Sequence, residues 1–170
     1  MKQFFAPLAL AAAVALAAPA QAAPVAATPS AQAQALILIP LTLVAVDDLD
    51  FGTVISSPVS GTINIPATGG ARTAAGGVTL VASDPGLRAR FAGAGSPGQM
   101  VLIDVTNPGT LSNGTDTVTI LALTLDGPAV RTIDPVTRAF YFHVGGILQV
   151  GADQAEGLYT ATFDVTADYL

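Results

Sequence analysis

The stretch "GLYTATFDVTADYL" occupies residues 157–170. Tyr159, Ala161, Phe163, Val165, Ala167 and Tyr169 alternate with Thr160, Thr162, Asp164, Thr166 and Asp168. A period of two sends one set to a core and the other to water, so the segment is predicted to form one continuous β-strand. Terminal residues usually fray. An ending this regular is expected to be held in a sheet.

The opposite extremity has a different grammar. Lys2 is followed by a mostly apolar run over residues 4–18, broken only by Pro7, and then by the small-x-small triplet Ala20-Gln21-Ala22. This predicts a signal peptide at 1–22, cleaved after Ala22, with Ala31-Gln32-Ala33 as a weaker alternative. A transmembrane helix is disfavoured because the run is short for a bilayer and no charged stop-transfer segment follows. Residues 23–34, rich in Ala, Pro, Thr, Ser and Gln, read as a flexible N-terminal arm. The domain proper is then expected at 35–170, in an exported chain destined for the periplasm, the cell surface or the exterior.

That domain opens on "ALILIPLTLVAV", residues 35–46. Twelve residues are too few to span a bilayer. Pro40 argues against a helix interior and a central strand, and fits a break or a sheet edge. Left bare, the segment would aggregate, so something must cover it.

Composition narrows the class. Without Lys2, the chain has five arginines against twelve carboxylates, a net charge of −7. Nucleic acid and anionic lipid are poor partners for such a surface. Hydrophobic residues make up 51% while charged residues are only 11%, a composition that fits disorder badly. There is no cysteine, so packing and hydrogen bonds must hold the fold and thiolate metal sites are excluded.

Further strands are predicted at residues 51–55, 62–65, 78–82, 87–92, 99–105, 117–125, 138–144 and 147–150, each bounded by Gly, Pro, Asn or Asp signals. Within 87–92, Leu87, Ala89 and Phe91 share one face and Arg88 and Arg90 the other. Phe140, Phe142 and Val144 oppose Tyr141 and His143. Residues 69–77 read as a glycine-rich loop; without a lysine or a following helix it is no phosphate cradle. Many short strands without helical periodicity predict an all-β sandwich.

The census of reactive groups is nearly empty. His143 is the only histidine and is expected to be a solvent-side strand residue lacking a clear partner. Asp47, Asp48 and Asp50 lack the fuller ligand spacing of a calcium loop and read as a solvated turn. Asn113-Gly114-Thr115 matches a glycosylation sequon, though Asn-Gly alone explains it as a turn. Arg72, Arg88, Arg90, Arg131 and Arg138 are scattered and read as solubilising residues. No catalytic residue, metal or cofactor is expected, and the chain is not read as an enzyme.

"LDFGTV" at 49–54, Gly61-Thr62, Arg72-Thr73, "GGV" at 76–78, "ARF" at 89–91 and the closing "GLYTATFDVTADY" resemble an exported bacterial family, Domain of Unknown Function 4402. The last strand, with Tyr169 penultimate and Gly157 fourteenth from the end, is also similar to the C-terminal signature of bacterial pilins of the chaperone–usher route. That resemblance implies an immunoglobulin-like, pilin-like β-sandwich lacking one strand. It further implies that a periplasmic chaperone reads the last strand and that a neighbour's N-terminal extension fills the groove. The cysteine pair of many pilins is absent here.

On that reading Gly157, Tyr159, Phe163, Val165 and Tyr169 belong to the assembly strand. Leu36, Ile37, Leu38 and Ile39 form either a donor strand or the first strand of the chain's own domain. The function expected is that of a secreted structural or adhesive cell-surface protein, similar to a fimbrial subunit and assembling by strand complementation. Its expected partners are copies of itself or related subunits, and a periplasmic chaperone. The alternative is a monomeric periplasmic or surface binding module for glycan or peptide, using the glycine-rich loop with Tyr141 and His143.

Overall fold

The computed structural model describes residues 30–170. The expected signal peptide, 1–22, and most of the expected arm, 23–34, lie outside the described residues. Leu36–Leu170 forms one compact unit. Among the described residues every regular element is a strand: β1 (Thr42–Asp47), β2 (Val54–Ile55), β3 (Gly61–Ile65), β4 (Thr73–Gly76), β5 (Thr79–Leu80) and β6 (Ala89–Ala94), then β7 (Met100–Val105), β8 (Thr110–Ser112), β9 (Thr117–Leu125), β10 (Val130–Thr132), β11 (Ala139–Val150) and β12 (Val165–Tyr169).

The longest strand organises the rest. β11 buries Phe140, Phe142 and Val144 and leaves Tyr141 exposed, as its alternation requires. Its first half pairs antiparallel with β6, from Ala139 opposite Ala94 to Val144 opposite Ala89. Its second half pairs with β3 and with β9. Gly145 sits at the junction, where a Cβ would collide with the Ile65 carbonyl oxygen and the Ala67 amide. Only glycine permits that approach. β1 extends this sheet beyond β6, β4 lies beyond β3, and β8 pairs with β9. A second sheet runs β10-β7-β12, and β2 pairs with β5.

Two apolar clusters result. One gathers Phe51, Ile63, Ile65, Val78, Val118, Ile120, Leu148 and Val150. The other joins Ala89 and Phe91 of β6 and Phe140, Phe142 and Val144 of β11 to Val101 and Ile103 of β7 and to Ile133. The second cluster is therefore packed between two sheets, with Phe91 stacked on Phe142 at 5.3 Å. Burial of this kind, at about 25 cal/mol per Å² of apolar surface, is what a cysteine-free chain has to rely on.

The structure corrects several boundaries. The strand expected from residue 35 starts at Thr42, two residues past Pro40, whose missing N–H and fixed φ mark the break. Residues 157–170 do not form one strand: β12 covers only Val165–Tyr169, and Thr160 makes an isolated bridge to Ser112. The alternation survives from Phe163 onward, but Ala161 is exposed. The segments expected at 138–144 and 147–150 are one strand. The loop expected at 69–77 contains β4, and Leu87 is exposed despite sharing a face with Ala89 and Phe91.

Candidate functional site

β1 and β12 each end a sheet, so among the described residues each has one edge without a strand partner. Both border the same core. Leu41 and Leu43 from the β1 side, and Phe163, Val165, Ala167 and Tyr169 from the β12 side, pack against the inter-sheet cluster. Thr106 N donates to Asp164 O at 2.9 Å and Leu170 N to Met100 O at 3.1 Å, so the even-numbered residues of this segment bond β7. By the period of two, Val165, Ala167 and Tyr169 turn their N–H and C=O groups to the free edge.

A clasp joins the two ends of the domain. The Tyr169 hydroxyl donates to Ile39 O at 2.9 Å and accepts from Ser96 N at 2.6 Å, while Ile39 N donates to Ser96 Oγ at 2.9 Å. Ser96 is buried in the β6–β7 turn. The adjacent Gly95 has no room for a Cβ beneath the Tyr169 hydroxyl oxygen. Of the other residues expected in the assembly strand, Phe163 packs edge-on to Phe91 at 6.1 Å. Tyr159 belongs instead to the first cluster and donates to Ala155 O at 2.8 Å. Gly157 lies outside any strand with φ of +150°. Leu36 and Ile37, ahead of β1, are 76% and 90% exposed, and Leu38 is half-buried.

Arg72 is not the solubilising residue expected. It is buried, and its guanidinium donates to three backbone carbonyls: Phe51 at 2.5 Å, Thr53 at 2.9 Å and Val81 at 2.7 Å. A planar fork with five donors suits such a junction, where lysine's point charge does not. Arg72 thereby ties the segment before β2 to the segment after β5. Arg88 does similar work, donating to Ala67 O at 2.6 Å. Between the loop at 66–72 and the segment at 80–88 lies a cleft of about 440 Å³, with both arginines in its wall. Next to the lining residue Pro85, Asp84 accepts from Thr53 Oγ1 at 2.6 Å, and this bond, helped by the Arg72 charge, holds its carboxyl below its ordinary range.

His143 does have a partner. Its Nδ1 lies 2.8 Å from Asp126 Oδ2, and Arg131 Nη2 lies 2.5 Å from Asp126 Oδ1. Strand register places Arg90 opposite His143, and Arg90 pairs with Asp47 at 3.2 Å, so polar and charged groups continue across this sheet from β11 through β6 to β1. The arrangement fastens the β9–β10 connection to β11. Among the described residues, no serine, threonine or second imidazole is hydrogen-bonded to this trio, which leaves it short of a nucleophilic constellation. Asp50 Oδ1 caps Gly52 N at 2.7 Å in a turn, and no group of three metal-ligating side chains occurs among the described residues. Asn113 Oδ1 accepts from Thr115 N and Asp116 N, a turn between β8 and β9. Among the described residues, no helix is long and apolar enough to cross a membrane.

The family model described as a domain of unknown function (DUF4402) matches residues 41–169. The chain belongs to this family. No curated protein and no solved structure matches it. The matched region runs from the residue before β1 to the end of β12, so this DUF4402 domain contains both free edges and the cleft, while residues 36–39 lie ahead of it. Several of the marks that carry the resemblance meet at one place. Phe51 and Thr53 supply carbonyls to Arg72, and Gly52, with φ of +67°, packs so tightly that a Cβ would lie 2.6 Å from the Arg72 Nη1. Sequence reading missed this clip because a lone arginine carries no sign of which carbonyls it will meet.

Proposed function

We propose that this DUF4402 protein is an exported structural or adhesive cell-surface subunit, built on a pilin-like variant of the immunoglobulin sandwich, that assembles through β-strand complementation. The observation that carries the reading is the pairing pattern at the two ends of the domain. The first strand and the last strand each keep one edge free, on the same inter-sheet core, and an apolar segment with Leu36 and Ile37 exposed stands ahead of the first. Exposed edges of this kind are usually blunted by charge, proline or a bulge. β12 carries one charge, Asp168, with Asp164 just ahead of it, while Val165, Ala167 and Tyr169 face the core with their side chains and the free edge with their backbone groups.

The donor in this reading is residues 36–39 of a neighbouring copy or related subunit, laid along β12. By the period of two, either Leu36 and Leu38 or Ile37 and Ile39 enter the core together, and two such side chains at ~1.5–3 kcal/mol each supply about 3–6 kcal/mol before ordering costs. A periplasmic chaperone would guard the same edge before assembly. Export rests on the sequence pattern at 1–22. The test is to purify the chain from Ala23 and look for detergent-resistant ladders on gels and filaments by electron microscopy. Ladders that vanish on deleting residues 23–39 support the reading; a strictly monomeric protein, unchanged by that deletion, defeats it.

A further inference from the structure

We propose that the cleft between the loop at 66–72 and the segment at 80–88 is a binding site for a small ligand bearing one carboxylate on an apolar body, with Arg88 as its anchor. The argument starts from how each arginine spends its donors. Arg72 gives Nη1 and Nη2 to three backbone carbonyls. Arg88 gives only Nη1, to Ala67 O. Its Nε and Nη2 make no hydrogen bond among the described residues, and neither is buried, since the one buried side-chain nitrogen or oxygen without a partner is Arg131 Nε. Nε and Nη2 form the edge of a guanidinium that offers two parallel N–H groups, matched to the two oxygens of a carboxylate. One partner, Ala67, therefore fixes the guanidinium by its other corner and leaves the two-pronged edge open to solvent.

The surroundings select charge and body. Neither Arg72 nor Arg88 has an acidic partner within 4 Å among the described residues, whereas Arg90 and Arg131 do. Asp84 feels the Arg72 charge, which leaves Arg88 as the cation free to take an anion. In a protein of net negative charge, two such arginines in one cleft make a local positive site. Gly69, at φ +96°, lies against the Arg88 guanidinium, where a Cβ would be 3.1 Å from Nη1. The loop thus passes over the cation without covering its open edge. Pro66, Leu80, Pro85 and Leu87 provide apolar wall beside it, and about 440 Å³ falls within the range of small-molecule sites. A single free edge fits a monoanion; a tetrahedral dianion would need more donors than remain.

The probe is 4-methylpentanoate, with its neutral amide as the control, titrated into the isotope-labelled chain and followed by two-dimensional NMR. The carboxylate is expected to shift the amides of Gly69, Gly70 and Leu87 saturably, and the amide to bind about tenfold more weakly or not at all. Arg88→Gln is expected to remove the carboxylate response. Arg88→Lys keeps a charge and a donor for Ala67 but lacks the fork, and is expected to weaken binding about fivefold or more. An unshifted Phe142 amide certifies the fold of each variant. Absence of a saturable shift, equal affinity for acid and amide, or unchanged affinity in Arg88→Lys overturns the proposal. These readouts are made within one chain and are independent of whether the protein assembles.

Discussion

The hydroxyl of Tyr169 donates to the carbonyl of Ile39 at 2.9 Å, across 130 positions of sequence. Because Ser96 N in turn donates to the same hydroxyl, one side chain near the end of β12 closes the domain against the segment ahead of β1. Tyr169→Phe keeps the ring and removes both bonds. It leaves the N–H of a buried serine without its partner, and is expected to cost about 1–2 kcal/mol. Urea denaturation of the variant against the parent chain measures this directly; an unchanged midpoint would mean that the clasp contributes nothing.

Arg72 carries a larger share. Arg72→Met preserves length and burial but strips the hydrogen bonds from the carbonyls of Phe51, Thr53 and Val81. Bonds to a charged donor contribute about 1.5–3 kcal/mol each, with strong coupling among them, so a loss of at least about 3 kcal/mol is expected. Arg72→Lys is expected to recover only part of it. Thermal unfolding of the three proteins side by side checks the order.

How much of this was legible beforehand depended on whether the signal was local. The alternation of Phe163, Val165, Ala167 and Tyr169, and that of Phe140, Phe142 and Val144, read correctly because side-chain direction follows from the chain itself. The break near Pro40 read correctly for the same reason. The His143–Asp126 contact did not, because it depends on β11 meeting β9, and β-patterning does not name its partner. β8 and β10, at three residues each, are too short for a period to show. Arg72 looked like any surface arginine because its partners are backbone atoms, which no residue type announces.

Gly145→Ala tests the junction of the two clusters. The added methyl would meet the backbone of Ile65 and Ala67, which cannot rotate away as a side chain can. The expected cost is about 1–3 kcal/mol, with the β3–β11 amides exchanging faster than those between β6 and β11. Equal stability would show that β3 shifts freely and that the close approach is incidental.

Acid should weaken the fold through two carboxylates. Asp84, bonded by Thr53, and Asp134, bonded by the amides of Thr137 and Val136, both titrate below their ordinary range in the folded protein. A lowered folded-state value means a contribution fully present above the unfolded value near pH 4 and lost as pH falls through the folded value. Stability is therefore expected to decline below about pH 4, and less steeply in Asp84→Asn and Asp134→Asn. Chemical denaturation across that range reads the slopes; slopes matching the parent would contradict the assignment.

Strand complementation itself is read most directly from the amides of Val165 and Ala167, which face the open edge of β12. Their hydrogen exchange should be measured by NMR or mass spectrometry in the chain from Ala23 and in the same chain lacking residues 23–37, which keeps the bond from Tyr169 to Ile39, at concentrations where assembly is sought. The account predicts slow exchange in the longer chain and fast exchange in the shorter one. Equal exchange in the two would contradict it.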